Sequence, residues 1–401
     1  MIARPTYVSI LTSFRDTEKL VKAVVGVRRA GKSSLLALLQ DELMRDGVPP
    51  ASILSLNFES LDLADIDSAR ALNARVLAHE FPPGKRYIFL DEVHLVPQWE
   101  RAVNSLRLDA RNDIYVTGSN SRLLDSELAT LLSGRYVPIE VFPLSFAEFV
   151  SARAPQAPLA ALNDYLYRGG LPGQFDLRDD DRVRAQYTDA VLNTIITKDI
   201  VARREVRDVD ALLKIVRFLA ASVGQLVTAK GIADYLTSTG RRVSSETVDN
   251  YLTLLEEAYL FYRAKREDLK GKATMKTLGK FYVVDLGFRA VTYGLGVSDV
   301  GSLLENLVYF ELRRRYQRVS VGKYGAAEVD FVAYTAGGGP AYFQVTQTMA
   351  DPGVRDRELA PLQQIRDAHP KTVLSLDEVR TPDYNGIRHQ NLADWLLQPQ
   401  A

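Results

Sequence analysis

A glycine-rich segment near the N-terminus constrains the fold of this chain most. Residues 26–33 read GVRRAGKS and fit the pattern G-x-x-x-x-G-K-[ST]. The segment follows an apolar run at residues 23–25 and precedes a helical pattern at residues 34–44, so it would connect a strand to a helix. Glycines in such a loop let backbone N–H groups approach phosphates, and the helix N-terminus adds positive potential. The segment therefore predicts a phosphate-binding loop in an α/β fold.

This loop predicts a site for ATP with Mg²⁺. Lys32 would reach the β- and γ-phosphates, and Ser33 would ligate Mg²⁺. The residues expected to contact the nucleotide are Gly26, Arg28, Arg29, Ala30, Gly31, Lys32, Ser33 and Ser34. The alternative is a chance glycine-rich turn, which the strand and helix patterns on either side disfavour.

A second motif of the same site ends the apolar run at residues 87–90. It continues into Asp91 and Glu92, so a buried strand would end in two carboxylates. Asp91 would hold Mg²⁺ through water, and Glu92 would act as the general base that polarises the attacking water. The alternative is an ordinary strand that ends at a solvated acidic turn. The two motifs together predict ATP hydrolysis.

Two further polar segments are candidates for the same reaction. In ATPases of the AAA+ kind, a polar residue after the next strand helps to hold the lytic water, and Asn120 or Ser119 could take that role. Arg135 could serve as an arginine finger on a neighbouring subunit's ATP. The alternatives are a turn that uses Gly-Ser-Asn for its backbone preferences and a surface ion pair of Arg135.

Composition limits the classes of protein that this chain can belong to. Its 401 residues suggest two to four domains, and fifty basic residues balance fifty acidic ones, so any site for a polyanion must be a local patch. The absence of cysteine fits a reducing compartment. The N-terminus lacks the apolar core of a signal peptide, and no apolar run approaches the ~20 residues of a membrane span. We expect a cytoplasmic protein without a membrane partner.

The pattern of apolar runs, helical stretches and glycine-rich turns changes along the chain and predicts four segments. In residues 1–150, short apolar runs alternate with helical stretches, which is typical of a parallel sheet covered by helices. Residues 151–207 look mostly helical and would form a lid. Residues 208–285 read as three helices followed by short strands. Residues 286–401 begin with a helix at 303–315 and continue with two strands joined by a glycine-rich hairpin at 337–340.

The third segment predicts a winged helix. Ser244 or Ser245 can cap its third helix, and helix–turn–helix units place that helix in the DNA major groove. The following hairpin carries six basic residues that could contact phosphates without reading sequence, namely Lys265, Arg266, Lys270, Lys272, Lys276 and Lys280. The predicted DNA contacts are Arg241, Arg242, Ser245, Thr247, Asn250, Lys270, Lys272 and Lys276. The alternative is a winged helix that binds proteins and carries a solvated basic wing.

A series of motifs along the chain carries a resemblance to a known family. They are residues 26–33, 90–94 with Trp99, 117–121, 133–135, 143–146 with 148–149, 169–172, 198–200, 285–287 and 305–306. In this order they resemble a large bacterial and archaeal family of AAA+-type ATPases with a C-terminal domain of unknown function. The resemblance runs nearly end to end. It implies an ATPase core, a winged helix and a terminal domain with the restriction-endonuclease-like fold.

Restriction-like nucleases use a carboxylate on a helix, an Asp on one strand and Glu-x-Lys on the next, which together hold Mg²⁺ and activate water. Here Glu305 would lie on the helix, with Glu328 and Asp330 on the first strand. Gln344 and Thr346 stand where Glu-x-Lys would be. A neutral amide is a poorer Mg²⁺ ligand, and threonine cannot replace an ammonium group. We therefore expect a degenerate nuclease fold that binds DNA or has a structural role.

The leading hypothesis from the sequence is an ATP-driven DNA-binding machine, a helicase or translocase that acts as a hexameric ring on branched or forked duplexes. A second hypothesis is a nucleotide-gated signalling switch that binds a protein partner. A third is an active ATP-dependent nuclease, which Gln344 and Thr346 disfavour.

Overall fold

The computed structural model describes residues 1–119, 134–153, 156–202, 206–271, 273–294, 300–379 and 382–399, with the backbone alone for 273–278. Asn120 and Lys272 lie outside these described residues, as does the side chain of Lys276. The chain forms two compact units. The first unit comprises Met1–Pro143 with Glu257–Tyr259, and the second comprises Leu144–Glu256 with Leu260–Ala401. The four-segment division stays a prediction.

The first unit is built on a parallel sheet. Its elements are α1 (Pro5–Ser13), β1 (Val21–Val25), α2 (Lys32–Arg45), β2 (Ile53–Asn57), α3 (Ala69–Leu77), β3 (Arg86–Asp91), α4 (Trp99–Leu106), β4 (Asn112–Gly118) and β5 (Tyr136–Glu140). The five strands lie in the order β2-β3-β4-β1-β5 and all pair in parallel. Every residue of β1 and β4 is buried, as expected of strands covered on both faces. The predicted parallel α/β fold is confirmed.

The order of these strands determines where the polar motifs meet. Strand β4 lies between β1 and β3, with Val25 opposite Gly118 and Leu90 opposite Val116. Parallel strands end at the same edge of a sheet. The phosphate-loop segment that follows β1 therefore lies on one side of the end of β4, and the acidic end of β3 lies on the other side. The predicted ATP site is therefore located at this edge.

The second unit begins with helices and continues into a mixed sheet. Its elements up to residue 293 are α5 (Phe146–Ser151), α6 (Pro158–Arg168), α7 (Asp181–Thr194) with a π-helix (Ile195–Val201), α8 (Val209–Ala221), β6 (Leu226–Val227), α9 (Ala229–Ser238), α10 (Ser245–Glu257), β7 (Phe261–Asp268), β8 (Ala273–Val283) and α11 (Leu286–Tyr293). The three helices and the strands predicted for residues 208–285 are present. Ser244 caps α10, because its Oγ accepts a hydrogen bond from the N–H of Thr247 at 3.1 Å.

The rest of the second unit extends the same sheet. Its elements are α12 (Val300–Arg315), β9 (Arg318–Tyr324), β10 (Ala327–Tyr334), β11 (Pro340–Val345), α13 (Pro352–Gln364), β12 (Lys371–Ser375), β13 (Asp383–Tyr384), β14 (Ile387–Asn391) and α14 (Leu392–Leu397). Strands β10 and β11 pair as the predicted hairpin, with Tyr334 opposite Pro340. Nine strands lie in the order β13-β14-β12-β11-β10-β9-β7-β8-β6. Because β7 pairs in parallel with β9, the hairpin β7–β8 and the terminal strands share one sheet.

Two motifs of the resemblance meet inside the second unit. The side chain of Asp285, which precedes α11, accepts hydrogen bonds from the N–H of Gly170 at 2.7 Å and from that of Gly287 at 2.8 Å. Gly169 has a φ of +72°, and a Cβ there would lie 1.8 Å from Oδ1 of Asp285. Gly169, which directly follows α6, is therefore required for the close approach of a buried carboxyl group. Among the described helices, none is long and apolar enough to cross a membrane.

Candidate nucleotide-binding site

Two glycines shape the loop between β1 and α2. Gly26 has a φ of +142°, and a Cβ at this position would lie 2.1 Å from the carbonyl oxygen of Val141. Gly31 precedes α2 with a φ of +93°. Both positions favour a residue without a side chain, because Gly26 lies against the backbone of Val141 and Gly31 has a left-handed φ.

The N-terminus of α2 fits an anionic group. No side chain caps this helix within the described part of the chain. The first turn contains Lys32, Ser33 and Ser34, and both serines are exposed. The uncapped N–H groups of a 14-residue helix favour an anion by hydrogen bonding and by the helix dipole. Ser33 is thus exposed at the N-terminus of α2, and its role as a Mg²⁺ ligand stays a prediction.

The ammonium group of Lys32 lies inside the loop. Its Nζ donates hydrogen bonds to the carbonyl oxygens of Gly26 at 3.0 Å and Val27 at 3.1 Å, and it lies 4.0 Å from Oε1 of Glu92. The side chain is almost fully buried. The loop backbone therefore holds a positive charge between the phosphate-binding segment and the acidic end of β3.

One hydroxyl group joins the two acidic residues of the site. Thr117, near the end of β4, donates from Oγ1 to Oδ1 of Asp91 at 2.5 Å. The same oxygen accepts a hydrogen bond from the N–H of Glu92 at 2.8 Å. These two hydrogen bonds fix the orientation of the Asp91 carboxyl group and the backbone that carries Glu92. Thr117 was not assigned this role from the sequence, although its place at the end of the neighbouring strand was a usable signal.

Glu92 has the environment of a general base. It has a left-handed φ of +53°, and its side chain is mostly buried. Burial raises the pKa of its carboxyl group, the charge of Lys32 lowers this pKa, and the charge of Asp91 raises it. Nδ1 of His94 lies 3.2 Å from Oε2 of Glu92. A carboxylate with a raised pKa accepts a proton from water more readily near neutral pH.

Arg4 is a residue of the site that sequence reasoning missed. Its buried guanidinium group donates to the carbonyl oxygen of Ala30 in the loop at 3.0 Å and to that of Phe142 at 2.9 Å. These bonds connect the segment before α1 to the phosphate-binding loop. A single arginine more than twenty residues before the motif gave no sequence signal for this contact.

The remaining residues predicted for the ATP site are Arg28, Arg29, Ser119 and Arg135, and their environments differ. Arg28 forms an ion pair with Glu59 at 3.3 Å, and Arg29 is exposed with a φ of +67°. Ser119 is buried, and its Oγ has no hydrogen-bond partner in the described part of the chain. Arg135 is exposed and lies directly before β5.

Some of the residues predicted to bind DNA are exposed to solvent, and others contact side chains of the protein itself. Arg242, Ser245 and Asn250 are exposed. Arg241 instead forms ion pairs with Asp208 and, at 3.3 Å, with Asp210. The hydroxyl of Thr247 lies 2.9 Å from that of Ser244. Lys270 is exposed and lies over the ring of Tyr324, 4.8 Å from its centroid.

Helix α10 has an unfavourable charge for the predicted DNA contact. It contains Glu246, Asp249, Glu256 and Glu257 and no basic residue. Tyr251 of the same helix is buried, so its hydroxyl does not add to a DNA-contacting surface. Carboxylates repel the phosphates that line a groove, so the cations of the hairpin β7–β8 offer a better polyanion surface than this helix does.

A second polar cluster lies in the sheet of the second unit. Nζ of Lys280, on β8, lies 2.8 Å from Oε1 of Glu305 and 2.7 Å from Oε1 of Glu328. Oη of Tyr282 also donates to Glu305, at 2.6 Å. Burial alone would lower the pKa of Lys280, but Glu305, Asp330 and Glu328 raise it above its ordinary value. The expectation that Lys280 contacts phosphates is wrong, because its ammonium group is buried among carboxylates.

Gln344 and Thr346, which stand where a restriction-like nuclease has Glu-x-Lys, both form hydrogen bonds within the second unit. Gln344 accepts from the N–H of Asp330 at 2.8 Å and donates to Glu358 at 3.1 Å. Thr346 donates to the carbonyl oxygen of Thr348 at 3.3 Å. Burial raises the pKa of Asp330 well above its ordinary range. Among the described residues, no three His, Cys, Asp or Glu side chains are placed to hold a metal ion.

Comparison with known protein families gives two matches along the chain. Residues 18–150 match the model of an AAA domain. Residues 159–299 match a domain of unknown function (DUF8612). The first match covers the phosphate-binding loop, the acidic end of β3 and Thr117, so the candidate ATP site lies inside an AAA domain.

Relatives and a solved structure extend this result along the chain. An uncharacterized protein of Haemophilus influenzae is 37% identical over 405 residues, which is 99% of each chain. An uncharacterized protein of Methanocaldococcus jannaschii is 30% identical over 307 residues, 74% of this chain and 67% of that one. The Walker-type ATPase of Pyrococcus abyssi has a similar fold, with a TM-score of 0.50 and 16% identity over 73% of this chain and 96% of its own. The chain therefore belongs to the family of the Haemophilus and Methanocaldococcus proteins, with a P-loop AAA domain in its N-terminal part.

Proposed function

We propose that this protein is a Mg²⁺-dependent ATP hydrolase. The observation that supports this proposal most directly is the arrangement around Thr117, which orients Asp91 and the backbone of Glu92 opposite the loop that holds Lys32. When ATP and Mg²⁺ are bound, they supply the phosphoryl group and the charge that stabilises its transfer to water. The residues present fit both groups, because α2 has no side-chain cap in the described part of the chain and Lys32, Ser33 and Asp91 supply a cation and two oxygen ligands.

Each residue has a distinct part in this proposal. Lys32 binds the phosphates, which replace the carbonyl oxygens that its ammonium group now contacts. Ser33 and Asp91 hold Mg²⁺. Glu92 takes a proton from the attacking water at its carboxylate. Ser119 or Asn120 positions that water.

The test separates binding from hydrolysis. In Glu92→Gln the base is removed while Lys32, Ser33 and Asp91 remain, so a fluorescent ATP analogue should still bind while phosphate release collapses. Lys32→Ala should weaken binding itself. Parental hydrolysis by Glu92→Gln, with confirmed identity of the protein, would show that another group is the base.

A second part of the proposal is assembly. The exposed position of Arg135 allows its guanidinium group to reach the ATP of a neighbouring copy in a homo-oligomeric, hexameric ring. Such an arginine finger neutralises charge on the departing phosphoryl group. A cytoplasmic location is consistent with the absence of cysteine.

The second candidate function is ATP-dependent binding and remodelling of DNA, in branched or forked form, with residues 208–285 as a winged helix. The exposed cations Lys265 and Lys270 on the hairpin favour this candidate over a switch that binds only a protein partner. An active nuclease is disfavoured, because Lys280 occupies the carboxylate cluster and Gln344 is bonded to Glu358. We propose that the terminal strands form a degenerate restriction-endonuclease-like domain.

ATP turnover with and without single-stranded, duplex and forked DNA distinguishes these candidates. Stimulation by DNA supports the remodelling function. Turnover that no DNA form changes, together with no DNA binding at low salt, favours the protein switch. The hydrolase proposal does not depend on this result, because it concerns turnover in the absence of DNA.

A further inference from the structure

We propose that a basic cavity in the second unit binds a phosphate group. We call it the seam pocket, because it lies where β7 pairs with β9. Its volume is about 320 Å³. The lining residues used in the argument are Arg263, Lys265, Glu267, Arg313, Arg318 and Ser320. The site goes beyond ATP hydrolysis; it specifies the second candidate function and rests on that function where the phosphate belongs to DNA.

The charge of the lining favours an anion. Four of the nine lining residues are basic, and Glu267 is the one acidic residue among the nine. The carboxylate of Glu267 accepts hydrogen bonds from Oγ of Ser320 at 2.9 Å and from Oη of Tyr334 at 2.7 Å, and it lies 3.8 Å from Nη2 of Arg318. Four cations against one carboxylate leave the lining with an excess of three positive charges. In a protein with zero formal net charge, this concentration of cations in one cavity is a local feature.

The arginines of the seam pocket are held in place by their neighbours. Nε of Arg263 donates to Oε1 of Glu256 at 2.7 Å. The guanidinium group of Arg318 lies 4.0 Å from the centroid of the Tyr334 ring. Arg313 donates from Nη1 to Oη of Tyr309 at 3.3 Å. Positioned arginines lose less conformational entropy when they bind, and their planar fork of donors matches phosphate oxygens.

The volume of the cavity limits the size of the group that can carry the phosphate. Ligand pockets span roughly 300–1,000 Å³, so a cavity near the lower limit suits a phosphate with an attached sugar. This unit occurs in the nucleic-acid backbone and in a free nucleotide. Both present phosphoryl oxygens to the arginines, so the chemistry is shared and the source has to be distinguished by experiment.

The experiment uses the full chain in a Lys32→Ala background, so that phosphates do not bind at the P-loop. The test variant is Lys265→Gln with Arg318→Gln, since both side chains are exposed and their loss should leave the fold intact. The matched control is Lys214→Gln with Lys230→Gln, which removes two surface charges on α8 and α9. AMP and pyrophosphate binding are measured by calorimetry. Binding of a duplex oligonucleotide is measured by anisotropy at several salt concentrations.

A nucleotide ligand predicts that the test variant binds AMP or pyrophosphate at least about tenfold more weakly, since each lost charge-assisted hydrogen bond costs about that factor. A nucleic-acid ligand predicts weaker DNA binding, with a log–log salt slope smaller by about 1.8 for two lost phosphate contacts. Either result supports the pocket, provided that the control variant binds as the parent does. The single variant Lys265→Gln replaces the double one if the latter unfolds.

Two outcomes would overturn the seam pocket. In the first, the parent binds neither the small phosphates nor DNA. In the second, the test variant binds all of them as tightly as the control. If neutralising Lys270 abolishes DNA binding while the test variant binds DNA, AMP and pyrophosphate as tightly as the control, DNA binding stands and the pocket does not, so the two proposals fail separately.

Discussion

The hydroxyl of Thr117 has two hydrogen bonds that matter for the chemistry of the ATP site. It donates to Asp91 and accepts from the N–H of Glu92, whose left-handed backbone is disfavoured for a residue other than glycine by about 1–3 kcal/mol. The strained residue is also the one with a raised pKa. A single side chain thus controls the orientation of the proposed metal ligand, Asp91, and the backbone of the proposed base, Glu92.

Replacing Thr117 should therefore affect both stability and turnover. Thr117→Val leaves the buried N–H of Glu92 without its acceptor, which should lower the free energy of unfolding by about 1–3 kcal/mol. The hydrolysis rate should fall as well, because Asp91 is no longer oriented. Thr117→Ser keeps the hydroxyl and is the matched control. Urea unfolding and phosphate release measure the two effects; parental turnover by Thr117→Val would refute this role.

The raised pKa of Glu92 predicts the acid limb of the pH–rate profile. Because burial raises this pKa above the ordinary value of 4.5, the base becomes protonated, and hydrolysis falls, while other carboxylates are still ionised. The same shift makes ionised Glu92 a cost to stability as pH rises through the pKa of the folded state. Glu92→Gln should thus be more stable than the parent at pH 8 but not at pH 4. A rate that stays constant down to pH 4.5, with the fold intact by circular dichroism, would contradict this assignment.

At the scale of elements, the approach of Asp285 to the glycines after α6 joins distant segments of the second unit. The carboxyl group accepts from the N–H groups of Gly170 and Gly287. Burial raises the pKa of Asp285 to about 6, although these two donors favour the ionised form. In the folded protein, the carboxyl group of Asp285 is therefore protonated at mildly acidic pH, where a free carboxyl group would be ionised.

Asp285→Asn should remove a pH dependence from the stability of the protein. A pKa raised from 3.8 to about 6 contributes stability below pH 4 that is lost as pH rises through about 6. This contribution amounts to about 3 kcal/mol at 1.36 kcal/mol per pKa unit. The stability advantage of the parent over Asp285→Asn should therefore shrink between pH 4 and pH 7. A constant difference in urea unfolding across this range would exclude the proposed titration.

The elements also show which contacts could be predicted from the sequence. Lys32, Ser33 and Asp91 follow from local motifs, because the strand–loop–helix order alone fixes which sheet edge they share. The burial of Lys280 among carboxylates could not be predicted. The sequence does not distinguish the six basic residues of the hairpin, and only the pairing of β8 determines which of them face carboxylates. The contact of Arg4 with Phe142 spans 138 positions and has no local pattern.

At the scale of the whole molecule, the two proposals belong to different units. Every described side chain of the ATP site lies in the first unit, whereas the seam pocket lies in the second. ATP hydrolysis and phosphate binding can thus be tested independently. The feature of the first unit that requires a second copy of the chain is Arg135, because its proposed role is to act on a neighbour's nucleotide.

Turnover should therefore require assembly, and mixing two inactive variants tests this. Arg135→Ala lacks the finger, whose loss should slow hydrolysis on the order of 10³-fold, and Glu92→Gln lacks the base. In an equal mixture, about a quarter of the interfaces combine an intact base with an intact finger from the adjacent subunit, so about that share of the parental rate should return. Size-exclusion chromatography with light scattering has to establish that the oligomers are mixed. Arg111→Ala, which removes another exposed arginine of the first unit, is the matched control and should hydrolyse at the parental rate. Mixed oligomers without recovery would show that Arg135 does not act between subunits.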